Sequence, residues 1–253
     1  MHVLVPADYF HPKTPDAEFA DQAAAFAEAG HSVGVWPLPA GTVLNGRVLY
    51  RGWMLTGEEY TELAQAVTGA GGEPVTTPEQ YLAAHHLPNW AGKLAGLTPE
   101  TRCWPAEALT DVDGLRAEMA ALGWGEYFVK DYVKSLKTGR RSILRDLTEL
   151  DALLTDMEQF RGRIEGGLCV RRVEDFLPDT ERRFFVWRGK AFAPAGADIP
   201  KILQEVAERI DLPFYSVDVV QRTDGTERVV EIGDGQVSDV VGWEVGELVR
   251  ILG

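Results

Sequence analysis

Two acidic residues near the C-terminal end of the chain carry its clearest chemical signal. In the stretch FYSVDVVQRTDGTERVVEIGD, residues 214–234, two valine-rich runs flank Asp224 and Gly225, a dipeptide suited to a tight β-hairpin turn. With a two-residue turn there, Asp218 stands directly opposite Glu231, their Cβ atoms about 5 Å apart, where like charges repel. The period-two rule sends Val217, Val219, Val230 and Ile232 to the other face, so the acidic pair occupies the face that the core does not need. A hard divalent ion with oxygen ligands, most simply Mg2+ carrying a phosphate chain, resolves the repulsion. The alternative is the solvated polar face of an ordinary hairpin.

A second signal is basic. The segment KSLKTGRRS, residues 134–142, gathers Lys134, Ser135, Lys137, Thr138, Gly139 and Arg140 around one apolar residue. That is the chemistry of a loop laying backbone amides and cations over phosphates, or else of an exposed hairpin loop enriched in bases. The Gly-x-x-x-x-Gly-Lys spacing of a Walker A loop is absent. Lys130 is the base of the preceding strand, EYFVKDYV. Arg51 follows the strand Val48 to Tyr50, at the end of a parallel strand where open α/β sheets bind ligands; a surface arginine with a buried stem is the other reading. Lys93 says little by itself. His85 and His86 are adjacent, point to different sides of a helix and do not make a joint metal site.

The elements that must position these residues follow from periodicity. Val3 to Val5, the alanine-rich helix Asp16 to Ala29 and the strand His31 to Trp36 make a β-α-β start, which implies a parallel sheet. The first connection reads PADYFHPKTP, without the Gly-x-Gly-x-x-Gly of a dinucleotide fold. A strand at Val48 to Tyr50, a helix at Gly57 to Val67 and a short strand at Pro74 to Thr77 continue the alternation. Tyr81 to Pro105 shows little periodicity. Beyond it the texture changes to strand pairs with intervening helices: a helix Asp113 to Leu122, strands Glu126 to Val133 and Ser142 to Leu144, a helix Thr148 to Phe160, and strands Gly167 to Val173, Glu181 to Trp187 and Lys190 to Phe192. A helix Pro200 to Ile210 leads into the acidic hairpin, and an irregular segment with a short helix ends the chain. The change of texture near His85 sets the domain boundary: residues 1–85, then 86–253 in two subdomains around 86–165 and 166–253.

Composition narrows the classes. The 253 residues, 45% apolar and 25% charged, are ordinary globular values for one large domain or two smaller ones. A net charge of -14 argues against a nonspecific nucleic-acid backbone binder. Cys103 and Cys169 lie far apart in sequence without a second cysteine at metal spacing, and are expected as separate buried thiols in a reducing cytoplasm. No basic leader precedes a long apolar run and no membrane-spanning stretch occurs, so a soluble cytoplasmic protein without a membrane partner is expected.

Taken in order, YRGW, FVKD, KSLKTG, VRRVEDF, ERRFFV, SVDVV and EIGDGQVS resemble the ATP-grasp superfamily, and within it a small clade of compact ATP-grasp domain proteins. The resemblance spans most of the chain. It implies an N-terminal Rossmann-like (pre-ATP-grasp) α/β domain followed by a two-subdomain α+β ATP-grasp fold with antiparallel sheets, and ATP and Mg2+ as cofactors, the nucleotide held between the subdomains. By position, Lys130 resembles the strand lysine at the nucleotide, and Lys93 an earlier phosphate-side lysine. Ser135 to Gly139 resembles the loop over the phosphates. Glu174, with the main chain of Arg172, Val173 and Phe176, resembles the hinge that reads adenine, and Arg183, after Glu181, a phosphate-side arginine. Asp218 and Glu231 match the two acidic metal ligands. Many members have Glu-x-Asn there; this chain has Gly233 and then Asp234, taken as the substitute ligand although a one-residue shift changes the face of a regular strand. Arg51 and Arg171 are candidates to grip an anionic substrate.

The implied activity is carboxylate–amine ligation: a small-molecule or peptide carboxylate becomes an acylphosphate as ATP becomes ADP, and an amine displaces phosphate. Phosphotransfer without ligation is the alternative enzyme, and a nucleotide-binding regulatory module without turnover the alternative of another class. A covalent nucleotidyltransferase fits poorly, since no Asp-Gly follows Lys130. The acceptor and the oligomeric state are not encoded in any motif.

Overall fold

The computed structural model describes residues 1–133, 142–161 and 164–253. The chain divides into two compact units, one of residues 1–84, 182–219 and 231–253 and the other of residues 85–181 and 220–230.

In the first unit, β1 (His2–Pro6), α1 (Ala20–Glu28), β2 (Ser32–Trp36), β3 (Gly46–Tyr50), α2 (Gly57–Gly69) and β4 (Gly72–Pro74) build a parallel sheet in the order β2-β1-β3-β4. The β-α-β reading of the opening residues therefore holds, with β4 beginning earlier than the expected Pro74. Helix α2 starts on a capping box, Thr56 accepting from the Glu59 N–H while the Glu59 carboxylate accepts from the Thr56 N–H, which satisfies two donors that the helix cannot. Val3, Val5 and Leu49 pack with Phe19 and Phe26 on one side of the sheet, and Leu4, Val48 and Tyr50 pack with Tyr60, Leu63 and Val67 on the other. Such two-sided burial is why these strands read as continuous apolar runs.

The aperiodic stretch before the second unit resolves into α3 (Pro78–His85), α4 (Leu87–Ala91) and a strand, β5 (Thr101–Pro105). Then come α5 (Val112–Ala121), β6 (Tyr127–Asp131), β7 (Ile143–Leu144), α6 (Leu150–Arg161) and β8 (Gly167–Arg172). They form an antiparallel sheet in the order β5-β8-β6-β7. Its Tyr127, Val129, Leu168 and Val170 pack against Leu115 and Met119 of α5 and the leucine stripe of α6.

The remaining elements are β9 (Arg182–Trp187), β10 (Lys190–Phe192), α7 (Ile202–Arg209), β11 (Phe214–Gln221), β12 (Glu227–Asp234) and α8 (Val245–Leu252). The strands form a sheet in the order β10-β9-β11-β12. The turn of its hairpin corrects the sequence reading. Gly225 N–H donates to Arg222 C=O at 2.9 Å and Arg222 N–H to Thr226 C=O at 2.8 Å, closing a three-residue loop with Gly225 at φ 84°. A residue at that φ opens a bulge in the returning strand. At the other end Gly235 N–H donates to Phe214 C=O at 3.1 Å, the pairing that a two-residue turn implies. The ends of the ladder are one residue out of step.

The cysteines also depart from expectation. Cys103 on β5 and Cys169 on β8 are direct cross-strand partners, and their sulfurs are bonded at 2.06 Å. Two separate thiols are thus corrected to one disulfide; a sequence separation of 66 conceals residues that the antiparallel ladder places opposite each other. Among the described residues no helix is long and apolar enough to cross a membrane.

Candidate functional site

The face of β9 and β11 changes character along its length. Trp187 opposes Phe214, Phe185 opposes Ser216 and Arg183 opposes Asp218. Direct partners share a face, so one face runs from aromatic core to charge. Phe185 and Phe214 pack with Trp243 in the core, and Trp243 Nε1 donates to the Arg183 carbonyl at 2.9 Å, which fixes the strand where the charged end begins. There Arg183 grips Asp218 as a fork, Nε to Oδ1 at 2.8 Å and Nη2 to Oδ2 at 2.6 Å, while Nη1 donates to Asp239 C=O at 3.2 Å. Two parallel N–H···O bonds fix orientation as well as adding energy. Burial opposes the Arg183 charge, but its bond to Asp218 and the fields of Asp218, Glu231 and Asp239 outweigh this and raise its pKa. Glu231 is half-buried and acts on the same cation.

Gly233 stands where a side chain would complete such a cluster. A Cβ there would meet Ser216 Oγ and Ser238 Oγ at 3.1 Å each. These buried hydroxyls lie 2.7 Å apart, and Ser238 donates to Asp234 C=O at 2.8 Å.

Asp234, 1% exposed, belongs to a different arrangement. Its Oδ1 accepts from Gln236 N–H at 2.9 Å and Gln236 Nε2 at 3.1 Å. Burial pushes its carboxyl up to about 7, against those hydrogen bonds and Arg51. Arg51, itself buried, donates from Nε and Nη2 to Gln22 Oε1 and from Nη1 to the carbonyls of Gly235 and Ser238, at 2.6 and 3.0 Å. Burial brings its guanidinium down to about 10, opposed by Asp234 and Asp239. Gln236 completes the clamp, accepting from Tyr50 N–H and donating to Tyr60 Oη. The turn after β12 is thereby bolted to the end of β3, and Arg51 directs its N–H groups to the protein itself.

In the second unit, Lys130 is buried on β6. Arg171 donates to the carbonyls of Val230 and Val229 and to Thr98 Oγ1, tying β8 to β12. Glu174 receives Arg228 Nε at 3.0 Å and pairs with Arg222 at 3.2 Å. In the main chain beside it, Arg172, Val173 and Phe176 donate their N–H groups to Glu100, Glu126 and Glu174 carbonyls. Lys93 and Glu181 are exposed. Ser135, Lys137, Thr138 and Gly139 lie outside the described residues.

Asp218, Arg183 and Glu231 are thus brought together, while Asp234 belongs to the Arg51 clamp. Among the described residues no group of three or more His, Cys, Asp or Glu is arranged to hold a metal ion. Two carboxylates sharing one cation are, by donor chemistry, a pair of hard oxygen ligands that suits Mg2+. Sequence reasoning missed Gln22, Ser216, Gln236, Ser238 and the Asp239 carbonyl. Gln236 and Ser238 fall within EIGDGQVS; nothing local marks Gln22, which meets Arg51 only through the sheet.

The profile of an ATP-grasp domain family, the third family of its clade, matches residues 121–252. No curated protein matches the chain in sequence. Among solved structures, the chain is similar to the D-cycloserine synthetase DcsG, with 15% identity over 100% of this chain and 98% of that one and a TM-score of 0.66. It is similar to a RimK domain ATP-grasp protein from Sphaerobacter thermophilus DSM 20745, with 18% identity, all of both chains covered and a TM-score of 0.62. The ATP-grasp ligase PsnB, complexed with minimal precursor, Mg and ADP, aligns with 15% identity over 99% of this chain and 96% of that one at a TM-score of 0.57.

Proposed function

Since the chain belongs to this ATP-grasp domain family, we propose that it is an ATP-dependent ligase that activates a carboxylate as an acylphosphate and joins it to an amine. The observation that carries this reading is the Arg183–Asp218 fork with Glu231 acting on the same cation. A phosphoryl group in transfer spreads negative charge over its oxygens, and fixed cations stabilise that charge without a protein nucleophile.

The substrate carboxylate attacks the γ-phosphorus of ATP, releasing ADP, and the amine then attacks the acylphosphate carbon and expels phosphate. Lys130 is assigned to the nucleotide phosphates and Glu174, with its flanking main chain, to the adenine. Ser135 to Gly139 are assigned to cover the phosphates, with Lys93 a weaker phosphate-side candidate. Asp218 and Glu231 would hold Mg2+, which when bound neutralises phosphate charge. Arg183 changes partners in this scheme, exchanging part of its grip on Asp218 for phosphate oxygens. Arg51 and Asp234 are assigned to holding the turn that follows Glu231, and Arg171 to bracing β8 against β12. The N-terminal parallel sheet is proposed as the pre-ATP-grasp domain. Its acceptor is proposed as a small molecule or peptide; DcsG and PsnB, a synthetase and a ligase acting with a precursor, support a ligase over a kinase.

Incubation of the protein with Mg-ATP and a metabolite or peptide extract, followed by mass spectrometry, tests the reading. The expected product has the mass of carboxylate plus amine less water, formed with ADP and phosphate. A phosphorylated acceptor in its place is the kinase outcome, and nucleotide binding without ADP from any extract is the regulatory-module outcome.

A further inference from the structure

Cys169 occupies the middle of three neighbouring strands. On one side it opposes Cys103 of β5, to which it is bonded, and on the other it opposes Lys130 of β6. Direct partners in antiparallel ladders point to the same face, so Cys103, Cys169 and Lys130 form one row across the sheet. The opposite face, with Val129, Leu168 and Val170, is the one packed against α5 and α6. The disulfide therefore lies on the face of Lys130, one strand away from it.

We propose that Cys103 and Cys169 are a thiol–disulfide modification site that sets the position of Lys130 and, through it, the affinity for nucleotide. This rests on the assignment of Lys130 to the nucleotide phosphates. Cys103 is part-exposed whereas Cys169 is fully buried, so an external dithiol attacks Cys103 Sγ. The S–S bond breaks, Cys169 leaves as a thiolate that takes up a proton, and Cys103 is held as a mixed disulfide. The second thiol of the reagent then displaces Cys103; two electrons pass to the protein and the reagent departs as its own disulfide. Reduction replaces a covalent bond by two non-bonded thiols, which need more room. Cys169 is confined in the row between Cys103 and Lys130, so the change is felt at the lysine.

The test uses the full chain treated with oxidised glutathione, or with dithiothreitol. Alkylation with iodoacetamide and intact mass count the thiols, and calorimetry measures Mg-ATP affinity in each state. The oxidised protein is expected to take up no alkyl group and the reduced protein two, with the dissociation constant about tenfold higher after reduction. A Cys103→Ala, Cys169→Val variant is expected to match the reduced protein and to ignore the reagent. Two reactive thiols in the oxidised protein, or equal affinity in both wild-type states, would overturn the proposal, and both readings stand whether or not the variant folds. Absence of Mg-ATP binding in both states would overturn the Lys130 assignment, and the proposal with it.

Discussion

Arg183 and Asp218 face each other across two strands, and each satisfies the other in a largely buried place. Removing one partner leaves an uncompensated charge, so Arg183→Ala is expected to destabilise the protein by about 3–5 kcal/mol, measurable by chemical denaturation. Arg183→Lys keeps the charge but loses the fork and is expected to retain most of the stability while losing turnover. Asp234 makes a separate prediction. Its folded pKa, about 7, lies above the ordinary 3.8, so the folded state binds the proton more tightly. Its stabilising contribution is complete below about pH 4 and is lost as pH rises through about 7, by an amount on the order of 4 kcal/mol. Thermal melts of Asp234→Asn against the wild type should show a difference that shifts in favour of the variant over that interval. A difference independent of pH would show that Asp234 does not titrate there.

At the scale of elements, the turn after β12 depends on Arg51. Arg51→Met would strand the Gly235 and Ser238 carbonyls and Gln22, each a buried group whose lost partner costs about 1–3 kcal/mol. Hydrogen exchange is expected to speed up across residues 235–238 while β1 and β3 stay protected; unchanged exchange would contradict the clamp. Most elements were legible because their periodicity is local: the alanine-rich helix, the leucine stripe of α6, the valine runs of β11 and β12. The strand β5 was not, since TRCWP has no alternation and becomes a strand by pairing with β8. The turn was misread by one residue, because Asp-Gly suits both a two-residue turn and the bulged three-residue loop that forms. The disulfide, the Gln22–Arg51 bond and the Ser216–Ser238 contact arise only when distant strands meet, and no spacing rule reaches them. Asp218 and Glu231 were legible because a hairpin is local. Their shared cation, Arg183, came from resemblance, and its bond to Asp218 from the structure alone.

For the whole molecule, Mg-ATP is expected to bind the folded chain and raise its melting temperature. At a hundredfold excess over the dissociation constant the stabilisation is about 2.7 kcal/mol, and Asp218→Asn with Glu231→Gln is expected to remove the magnesium dependence of that shift. The central claim is that the acidic hairpin serves ligation. Its most direct test is mass spectrometry of wild-type and Glu231→Gln protein incubated with ATP, magnesium and a metabolite or peptide extract. A condensed carboxylate–amine product is expected, formed with equimolar ADP by the wild type and lost in the variant. A phosphorylated acceptor, or equal product from both proteins, would contradict that claim.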